Sequence, residues 1–339
     1  MTQTYLPHER ISPDRIYTCW PAVQDYWPAP LSDVDPEYAA FLQAALRPGP
    51  DGETLSLTVL VADDRAEAAA RGALGAKAEI VRQAYGDVWT RDTGPVFLRE
   101  AGKLHAVRFT HNGWGGKYLY PGDAELGEPI ARHAFAEIRP VDLIAEGGAF
   151  EFDGEGTVLT TRQCLLNANR NPGLGEAEIE RRLLEAFGAR KVLWVDEGLI
   201  ADHTDGHIDN IVRFVAPGEV VCQAPASADD PQAEVLDAIA RQLDGLVDAA
   251  GRPLTVHRIP GPGAVYDAEG DLMAASYLNY IIVPSGLVVP VYGTPSEAEA
   301  LAKLSRIFDR PVTGVRANAI LTGGGAFHCV TCHVPGEPK

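Results

Sequence analysis

The chain has 339 residues, and its 46% of hydrophobic and 22% of charged residues are typical of a globular protein with a buried core. Its formal net charge of -18 argues against nucleic acid and anionic membranes as partners, because both would be repelled, whereas a small cation would be attracted. No basic segment followed by an apolar run opens the chain and no apolar stretch is long enough to span a bilayer, so we expect a soluble cytoplasmic protein.

Five predicted strands carry polar residues next to a glycine or a turn. In chain order they are RDTGPVFL from Arg91, GGAFEFD from Gly147, DGHIDNIVRF from Asp205, ASYLNYIIV from Ala275 and GGGAFHCV from Gly323. A short turn and a second apolar strand follow each of the first four, namely LHAVRF from Leu104, TVLTT from Thr157, EVVCQA from Glu219 and GLVVPVY from Gly286. The tetrapeptide GGAF occurs at 147–150 and again at 324–327, which indicates an internal repeat.

Helical patterns follow several of these strand pairs. The clearest are EAEIERRLLEAFG from Glu176, PQAEVLDAIARQL from Pro231 and SEAEALAKLSRIF from Ser296, and they lead into the predicted strands KVLWV, LTVHRI and PVTGVRA. In the last helix Leu301, Leu304 and Phe308 mark one apolar face. Ser296 and Glu299 predict a capping box at the start of that helix.

The recurring unit is therefore strand, strand, helix, strand. Because no linker separates the units, we predict one continuous domain over residues 1–339, and radial repetition is one way in which such units protect their sheet edges. The fifth unit lacks a second strand near the C-terminus, and IYTCW near residue 17 is expected to supply it from the N-terminus. A Rossmann sheet also alternates strands and helices, but no G-x-G-x-x-G opens a helix after a strand.

If the starts of the five units face one axis, their polar side chains converge there. These residues are Asp92, Glu146, His207, Asp209 and Cys329. His207 and Asp209 are two apart, so on a strand they would face the same side. Two aspartates can hold a planar guanidinium by paired hydrogen bonds, and a cysteine thiolate can attack its central carbon. A histidine oriented by Glu146 can protonate departing ammonia and then take a proton from water, which predicts deimination of a guanidine.

The same C-terminal segment has a competing interpretation. Cys329, Cys332 and His333 spell C-x-x-C-H, which is typical of covalent haem attachment, and C-x-x-C also occurs in redox dithiols and zinc sites. The five cysteines are odd in number and scattered, so free thiols in a reducing compartment are expected, where a c-type haem is not. No second ligand pair accompanies the motif, and Pro335 with Gly336 disfavours the helix on which a redox dithiol depends. A c-type haem electron-transfer protein is the alternative from a different class.

Each candidate residue also has a purely structural explanation. A lone cysteine is more often packing than nucleophile, and aspartate or glutamate at a strand start usually forms a turn or a cap. Trp89 and Trp114 are candidate walls of the substrate site, although tryptophans more often belong to the core. Packing gives no reason for such residues to recur at like positions of successive units, so we favour the functional explanation.

Five segments resemble motifs of the agmatine deiminase family, within the guanidine-modifying superfamily that also contains arginine deiminases and bacterial-type peptidylarginine deiminases. They are WTRDTGP, EGGAFEFDGEGTVLTTRQCLLNANRNP, DGHIDN, SYLNYIIV and GGGAFHCVT, and the resemblance runs from Trp20 to the C-terminus. It implies a five-bladed α/β propeller of ββαβ units, the pentein fold. It also implies an enzyme of polyamine (putrescine) biosynthesis that converts agmatine and water to N-carbamoylputrescine and ammonia.

The resemblance implies a role for each site residue. Cys329 would be the nucleophile that forms a thiouronium intermediate. Asp92 and Asp209 would grip the guanidinium, and Glu146 and His207 would move the protons. Neither a metal nor an organic cofactor is implied.

This sequence departs from the family pattern at several positions. Cys332 and His333 stand where glutamine is common, the pair at 326–327 replaces Asn-Ile, and His203 replaces an acidic residue that is often found there. These changes keep the chemistry but leave open how the substrate's tail is bound. Cys332 could also form a disulfide with Cys329 on oxidation and switch the enzyme off, although a small buried filler is the simpler explanation.

The distal amine of agmatine needs an acceptor of its own, for which Asp202 and Asp205 are candidates. The alternative substrate is another guanidine, including peptidyl arginine or free arginine. Free arginine is disfavoured because no arginine stands out as the partner of its α-carboxylate. The candidates are Arg91, Arg108, Arg170 and Arg213. A propeller that binds a cation without turnover is a further alternative, and a homodimer is possible although no interface is evident.

Overall fold

The computed structural model describes residues 4–5 and 10–336. Its strands are β1 (Thr4–Tyr5), β2 (Arg15–Cys19), β3 (Ser56–Val61), β4 (Glu79–Arg82), β5 (Val96–Glu100), β6 (Lys103–Thr110), β7 (Glu137–Ile144), β8 (Glu151–Phe152), β9 (Thr157–Thr161), β10 (Lys191–Val195), β11 (Val212–Ala216), β12 (Glu219–Ala224), β13 (Thr255–Pro260), β14 (Ile281–Val283), β15 (Gly286–Val291), β16 (Val312–Arg316) and β17 (Cys332–Val334). Its α-helices are α1 (Leu31–Ala45), α2 (Asp64–Leu74), α3 (Thr90–Thr93), α4 (Gly113–Gly116), α5 (Asp123–His133), α6 (Arg162–Leu165), α7 (Glu176–Phe187), α8 (Ala233–Leu243), α9 (Glu297–Phe308) and α10 (Asn318–Leu321).

The strands of this described part form five separate sheets. Their strand orders are β1-β5-β6-β7, β8-β9-β10, β11-β12-β13, β14-β15-β16 and β17-β2-β3-β4. Each sheet contains an antiparallel pair followed by a parallel strand, and a helix makes the parallel crossover: α5, α7, α8, α9 or α1. The predicted ββαβ repeat and the five-bladed α/β propeller are therefore confirmed.

The two ends of the chain close the fifth blade together, as the sequence predicts. Strand β17 runs antiparallel to β2, with Cys332 opposite Tyr17 and Val334 opposite Arg15. Strand β2 then pairs in parallel with β3 across helix α1. This closure fixes Cys329 only three residues before a strand whose partner comes from the opposite end of the sequence.

The polar starts of the units are turns and not strands, which corrects the sequence prediction. The first strand of each unit begins several residues later than expected, at Val96, Glu151, Val212, Ile281 and Cys332. Short helical turns precede three of them, at Thr90–Thr93, Gly147–Ala149 and Ile208–Asn210. His207 and Asp209 therefore share no strand face, because Asp205 and Gly206 with φ of 65° and 83° turn the chain just before them.

The helices bury the faces that their apolar spacing predicts. Helix α7 buries Ile179, Leu183 and Phe187, which are four residues apart and so lie on one side of the helix. Helix α9 buries Leu304 and Phe308 in the same way, together with Ala300, whereas Leu301 of the predicted face is only partly buried. Each of these helices packs between the sheet of its own blade and the last strand of the preceding blade.

The predicted capping box at the start of α9 is wrong. The hydroxyl of Ser296 donates to the carbonyl of Gly261 at 2.7 Å and makes no cap bond to the helix. The carboxylate of Glu299 pairs with Lys303 at 2.9 Å. A loop carbonyl that is distant in sequence thus takes the hydroxyl that a local pattern assigns to the helix.

None of the described helices has both the length and the hydropathy to cross a bilayer. The predicted single domain over 1–339 includes residues 1–3, 6–9 and 337–339, which lie outside the described residues. That domain assignment stays a prediction.

Candidate active site

The segment before β17 carries Cys329 in a narrow loop. A Cβ placed at Gly325 would lie 2.8 Å from Cζ3 of Trp89 and 3.0 Å from Sγ of Cys329. Gly324 adopts a φ of 106°, a conformation that suits only glycine. The glycine run therefore lets the indole of Trp89 approach the cysteine directly.

Cys329 is buried as a free thiol and is held by Asn279 of the fourth blade. Nδ2 of Asn279 lies 3.0 Å from Sγ, and Oδ1 of Asn279 accepts the backbone N–H groups of His328 and Cys329 at 2.9 and 3.2 Å. One carboxylate oxygen of Asp209 lies 3.9 Å from the sulfur. Burial, with the charges of Asp209 and Asp92, raises the pKa of Cys329 well above its ordinary value.

Two carboxylates and an imidazole converge on Gly148. A Cβ added to this glycine would lie 2.5 Å from Nδ1 of His207, 2.9 Å from Oδ1 of Asp92 and 3.2 Å from Oδ2 of Asp209. Only a residue without a side chain fits between them. Asp92 comes from the first blade, His207 and Asp209 come from the third, and Gly148 lies in the second; the turns that precede the strands bring them together.

Asp92 is oriented by donors on both of its oxygens. The backbone N–H of Gly148 donates to Oδ1 at 3.0 Å, and Nε1 of Trp114 donates to Oδ2 at 2.9 Å. Burial raises the pKa of Asp92 to about 6, with Asp209 and Glu146 acting in the same direction and His207 opposing them. Burial therefore outweighs the nearby charge of His207, which favours the charged form of this carboxyl.

Asp209 pairs with a residue that the sequence analysis did not select. Its Oδ2 lies 2.7 Å from Nδ1 of His328, and the hydrogen bond between them lowers the pKa of Asp209 against the effect of burial. Its Oδ1 is buried and has no hydrogen-bond partner among the described residues. One carboxylate oxygen is thus available to a donor that enters the site.

His207 lies between two acidic groups. Its Nε2 is 3.5 Å from Oε2 of Glu146, and its Nδ1 is 3.7 Å from Oδ1 of Asp92. Burial disfavours the charged imidazole, but Asp92, Cys164 and Glu146 outweigh it and raise the pKa of His207 well above its ordinary value. The imidazole is therefore protonated near neutral pH and can act as an acid.

Glu146 is neutralised by a buried arginine. Nε of Arg170 donates to Oε1 of Glu146 at 2.8 Å, and both side chains are inaccessible to solvent. Burial would raise the pKa of Glu146, but the hydrogen bond with His207 and the charge of Arg170 lower it. Glu146 therefore remains a carboxylate that can orient His207.

One group of donors has the spacing of a metal site. Ligand atoms of Glu146, Cys164 and His207 lie within 4.8 Å of one another. Because Arg170 already donates to the carboxylate of Glu146, a metal cation would meet a positive charge there. The set is better suited to moving a proton than to holding a metal.

A cleft of about 650 Å³, partly open to solvent, leads to Cys329 and Asp92. Trp89 and Trp114, the predicted walls, both line it. So do the buried Asp87, which was not selected from the sequence, and the exposed His203.

Several residues named from the sequence lie elsewhere. Asp205 pairs with Lys117 and Arg170, each at 2.9 Å, and Asp202 accepts from Thr204 and Asn210, so neither aspartate lines the cleft. Both are therefore wrong as candidate acceptors of the distal amine. The four candidate arginines do not line it either, although Arg170 takes part in the site through Glu146. The other three contact Phe150, Glu128 and Glu151: Arg91, Arg108 and Arg213 respectively.

The C-x-x-C-H motif is divided between two environments. Cys332 belongs to strand β17 and its Sγ contacts the carbonyl of Pro95 at 3.3 Å, whereas Cys329 faces Asn279. Nε2 of His333 lies 2.9 Å from the hydroxyl of Thr331. The geometry favours neither a haem on both sulfurs nor the proposed disulfide switch, because the two thiols contact different neighbours.

The propeller and its buried cysteine, histidine and carboxylates define a class, the guanidine-modifying propellers. The family model of the Porphyromonas-type peptidyl-arginine deiminase matches residues 5–335, and the chain belongs to that family. The agmatine deiminase of Pseudomonas aeruginosa (strain LESB58) is 34% identical over 364 residues, covering 100% of this chain and 96% of the relative. That of Stutzerimonas stutzeri (strain A1501) is 34% identical over 356 residues, covering 98% and 95%. The solved agmatine deiminase of Enterococcus faecalis superposes with a TM-score of 0.91 at 29% identity, covering 98% and 96%.

Proposed function

We propose that the protein is an agmatine deiminase, which hydrolyses agmatine to N-carbamoylputrescine and ammonia. The observation that carries the proposal is the convergence of Asp92, Asp209 and His207 on Gly148, with the thiol of Cys329 beside Asp209. The similarity to agmatine deiminases of Pseudomonas aeruginosa and Enterococcus faecalis over nearly the whole chain supports the same assignment.

The guanidinium is held between the two aspartates. A planar guanidinium offers paired N–H donors that match carboxylates, and Oδ1 of Asp209 is a buried acceptor that has no partner in the described part of the chain. A bound cation would also favour the charged form of Asp92, whose pKa burial raises to about 6. Binding energy therefore comes in part from Asp92, whose charged form burial disfavours until a guanidinium lies beside it.

Substrate binding activates the nucleophile. Asp209 and Asp92 keep the pKa of Cys329 high, and a guanidinium between them neutralises their charge. The thiol can then lose its proton to solvent, and Asn279 donates a hydrogen bond from Nδ2 to the sulfur. The reactive thiolate forms when its target is in place.

The thiolate of Cys329 attacks the central carbon of the guanidinium and forms a C–S bond. The imidazolium of His207 then gives its proton to one nitrogen, the C–N bond breaks, and ammonia leaves behind a thiouronium. Neutral His207 next takes a proton from water, whose oxygen adds to the same carbon. The C–S bond breaks, the electron pair returns to sulfur, and the product departs as a substituted urea after loss of one proton.

The cleft favours agmatine over free arginine. An α-carboxylate would need a cationic partner, and none of the described arginines or lysines lines the cleft. Agmatine carries an amine at that end and needs no cationic partner there. The lining thus accounts for the substrate without invoking Arg91, Arg108, Arg170 or Arg213.

The biological setting is also part of the proposal. N-carbamoylputrescine is putrescine with one carbamoylated amine, so we expect the enzyme to serve polyamine biosynthesis in the cytoplasm. The homodimer suggested by the sequence stays a prediction as well.

The test is ammonia release by the purified, metal-free protein given agmatine, free arginine and a blocked arginine peptide side by side. We expect agmatine to be strongly preferred and Cys329→Ser to abolish release. If the wild-type protein released ammonia from none of the three guanidines, the assignment as a deiminase would be contradicted. A preference for the peptide would identify peptidyl arginine as the substrate in place of agmatine.

A further inference from the structure

The cleft has a second carboxylate end that the chemistry at Cys329 does not use. We propose that Asp87, with the aromatic side chains of Tyr26, Trp89, Tyr118 and Tyr120, binds the distal ammonium of the substrate and selects ammonium-ended guanidines. We call these five residues the tail pocket, and all of them line the cleft that contains Cys329. The inference rests on the proposed function, because it concerns the other end of the same substrate.

The tail pocket and the nucleophile lie at two edges of one indole. Nε1 of Trp89 donates to Oδ2 of Asp87 at 2.9 Å. The opposite, six-membered ring of Trp89 lies against Gly325, whose added Cβ would be 3.0 Å from Sγ of Cys329. A substrate that spans the face of this indole therefore reaches Cys329 with one end and Asp87 with the other, as a guanidine and an amine joined by a short alkyl chain would do.

Asp87 has room for a further donor. It is 4% exposed, and its two oxygens accept hydrogen bonds from the backbone N–H of Val88 at 2.8 Å and from Trp89, while the indole of Trp27 also favours its charged form. A carboxylate oxygen can accept two hydrogen bonds, so each retains capacity. No arginine, lysine or histidine of the described chain forms an ion pair with Asp87, which leaves a buried carboxylate facing a cleft without a cation.

The electrostatics of this end favour an incoming cation. Burial raises the pKa of Asp87 to about 7, and the carboxyl of Asp123 acts in the same direction. The other titratable groups that sense Asp87 are Cys19, Tyr38 and Tyr120, and none of them is cationic. An ammonium that binds beside Asp87 would therefore offset the cost of burying its charged carboxylate.

The aromatic residues suit the rest of the tail. Tyr26 and Tyr120 stack with ring centroids 4.0 Å apart, and Tyr118 lies 6.3 Å from Tyr120. Their faces can cover the methylene groups of an alkyl chain and attract a cation at its end. An apolar wall with one carboxylate matches a chain that ends in an amine.

His203 makes Asp87 more important in this chain. Nδ1 of His203 lies 3.3 Å from the hydroxyl of Tyr118 at the rim of the cleft, where a histidine brings no negative charge. Among the described residues Asp87 is then the carboxylate of the lining other than Asp92, which belongs to the guanidinium end. A carboxylate on the substrate tail, as in free arginine, would face Asp87 and be repelled.

The experiment compares agmatine with n-butylguanidine, which has the same guanidine and alkyl chain but no amine. The quantity is the ratio of their kcat/KM values, in which effects on Cys329 and His207 cancel because both substrates present the same guanidinium. In Asp87→Asn at about pH 8 we expect this ratio to fall by a factor of about 10 to 100, which corresponds to the loss of one hydrogen bond to a charged group. The fall should lie mainly in the KM for agmatine.

The matched control is Asp123→Asn. Asp123 is a buried neighbour whose Oδ1 accepts the N–H groups of Gly86 and Asp87, and an asparagine oxygen can accept both. We expect the ratio to change less than about threefold in this variant, since Asp123 does not line the cleft. Equal falls in both variants would overturn the assignment of Asp87.

The wild-type protein supplies a test that needs no variant to fold. The ratio should rise as pH increases through about 7, because Asp87 ionises while the substrate amine stays protonated. The rise must persist in His203→Gln, which removes the imidazole that also lines the cleft. A ratio that is flat with pH, or flat once His203 is removed, contradicts the tail pocket, whereas inactivity on both guanidines contradicts the proposed function instead.

Discussion

Arg170 is a buried guanidinium that supports the site without touching substrate. It donates to Glu146 at 2.8 Å, to Asp205 at 2.9 Å and to the carbonyl of Thr204 at 3.0 Å. Through these contacts it joins the acid of the second blade to the turn of the third blade that carries His207. The guanidinium of Arg170, the same chemical group that reacts in the substrate, therefore has a structural role here.

Replacing Arg170 by glutamine should weaken both the fold and catalysis. Loss of one partner of a buried pair leaves Glu146 uncompensated, so we expect the free energy of unfolding to fall by about 3–5 kcal/mol and kcat to fall with it. Urea denaturation and ammonia release measure the two effects. In Arg162→Gln, which breaks half-exposed pairs with Glu176 and Asp196, the loss should stay below about 1 kcal/mol. Equal losses would show that burial does not set the role of Arg170.

The sequence predicted which residues meet at the site better than it predicted how they meet. The recurrence of polar residues at unit starts brought together Asp92, Glu146, His207, Asp209 and Cys329. Asn279 was missed although it holds the equivalent place in the fourth unit, two residues before β14. Arg170 carries no periodic signal, because its partners Glu146 and Asp205 are distant in sequence. Asp87 carries none either, since its hydrogen bonds to Val88 and Trp89 belong to no repeated pattern.

At the scale of elements, the loop at 323–331 places the nucleophile. Its glycines let Trp89 pack against it, and the loop is tied to the first blade because the N–H of Arg91 donates to the carbonyl of Cys329 at 3.1 Å. The position of the sulfur thus depends on a close approach of backbone and indole.

Gly325→Ala should lower kcat between about tenfold and hundredfold, because the new methyl group displaces either Trp89 or the thiol, and small misplacements of reacting groups are costly. Steady-state kinetics with agmatine measures this. Gly72→Ala in helix α2 is the control, since a Cβ there meets no atom within 4 Å and should leave kcat unchanged. Normal turnover in Gly325→Ala would contradict the tight loop.

Some features of the helices and strands could be predicted from local sequence patterns, and others could not. The faces of α7 and α9 followed from spacing alone, because a helix repeats regularly along the chain. The strand starts were placed too early, since a turn such as Ile208–Asn210 has no apolar periodicity of its own. The hydroxyl of Ser296 bonds to Gly261, a partner that no local pattern contains.

At the scale of the whole molecule, the site collects carboxyls that burial protonates. The pKa of Asp92 is raised to about 6 and that of Asp87 to about 7, each chiefly by burial. The folded protein therefore holds protons that the unfolded chain has already released. The acidic neighbours of His207 also raise its pKa, against the effect of burial. This shift changes stability with pH in the same direction as the shifts of Asp87 and Asp92.

The free protein should accordingly become less stable as pH rises from about 5 to about 8, because the folded state binds more protons than the unfolded state over that interval. The melting temperature against pH measures this slope. Asp87→Asn should flatten it near pH 7, since asparagine has no proton to lose. Asp209 and Glu146 have lowered pKa values and contribute the opposite slope in more acidic solution. Burial also lowers the pKa values of His105 and His111, which partly offset the loss of stability near pH 6. A melting temperature that increases steadily from about pH 5 to about pH 8 would contradict these raised pKa values.

The most direct test of the account is to trap the covalent intermediate. Wild-type protein mixed with agmatine is quenched in acid during turnover, and its intact mass and peptide masses are measured. The account predicts an added mass equal to agmatine less ammonia, located on Cys329 and absent in Cys329→Ser. Turnover of agmatine in Cys329→Ser, or an adduct on another residue, would contradict it.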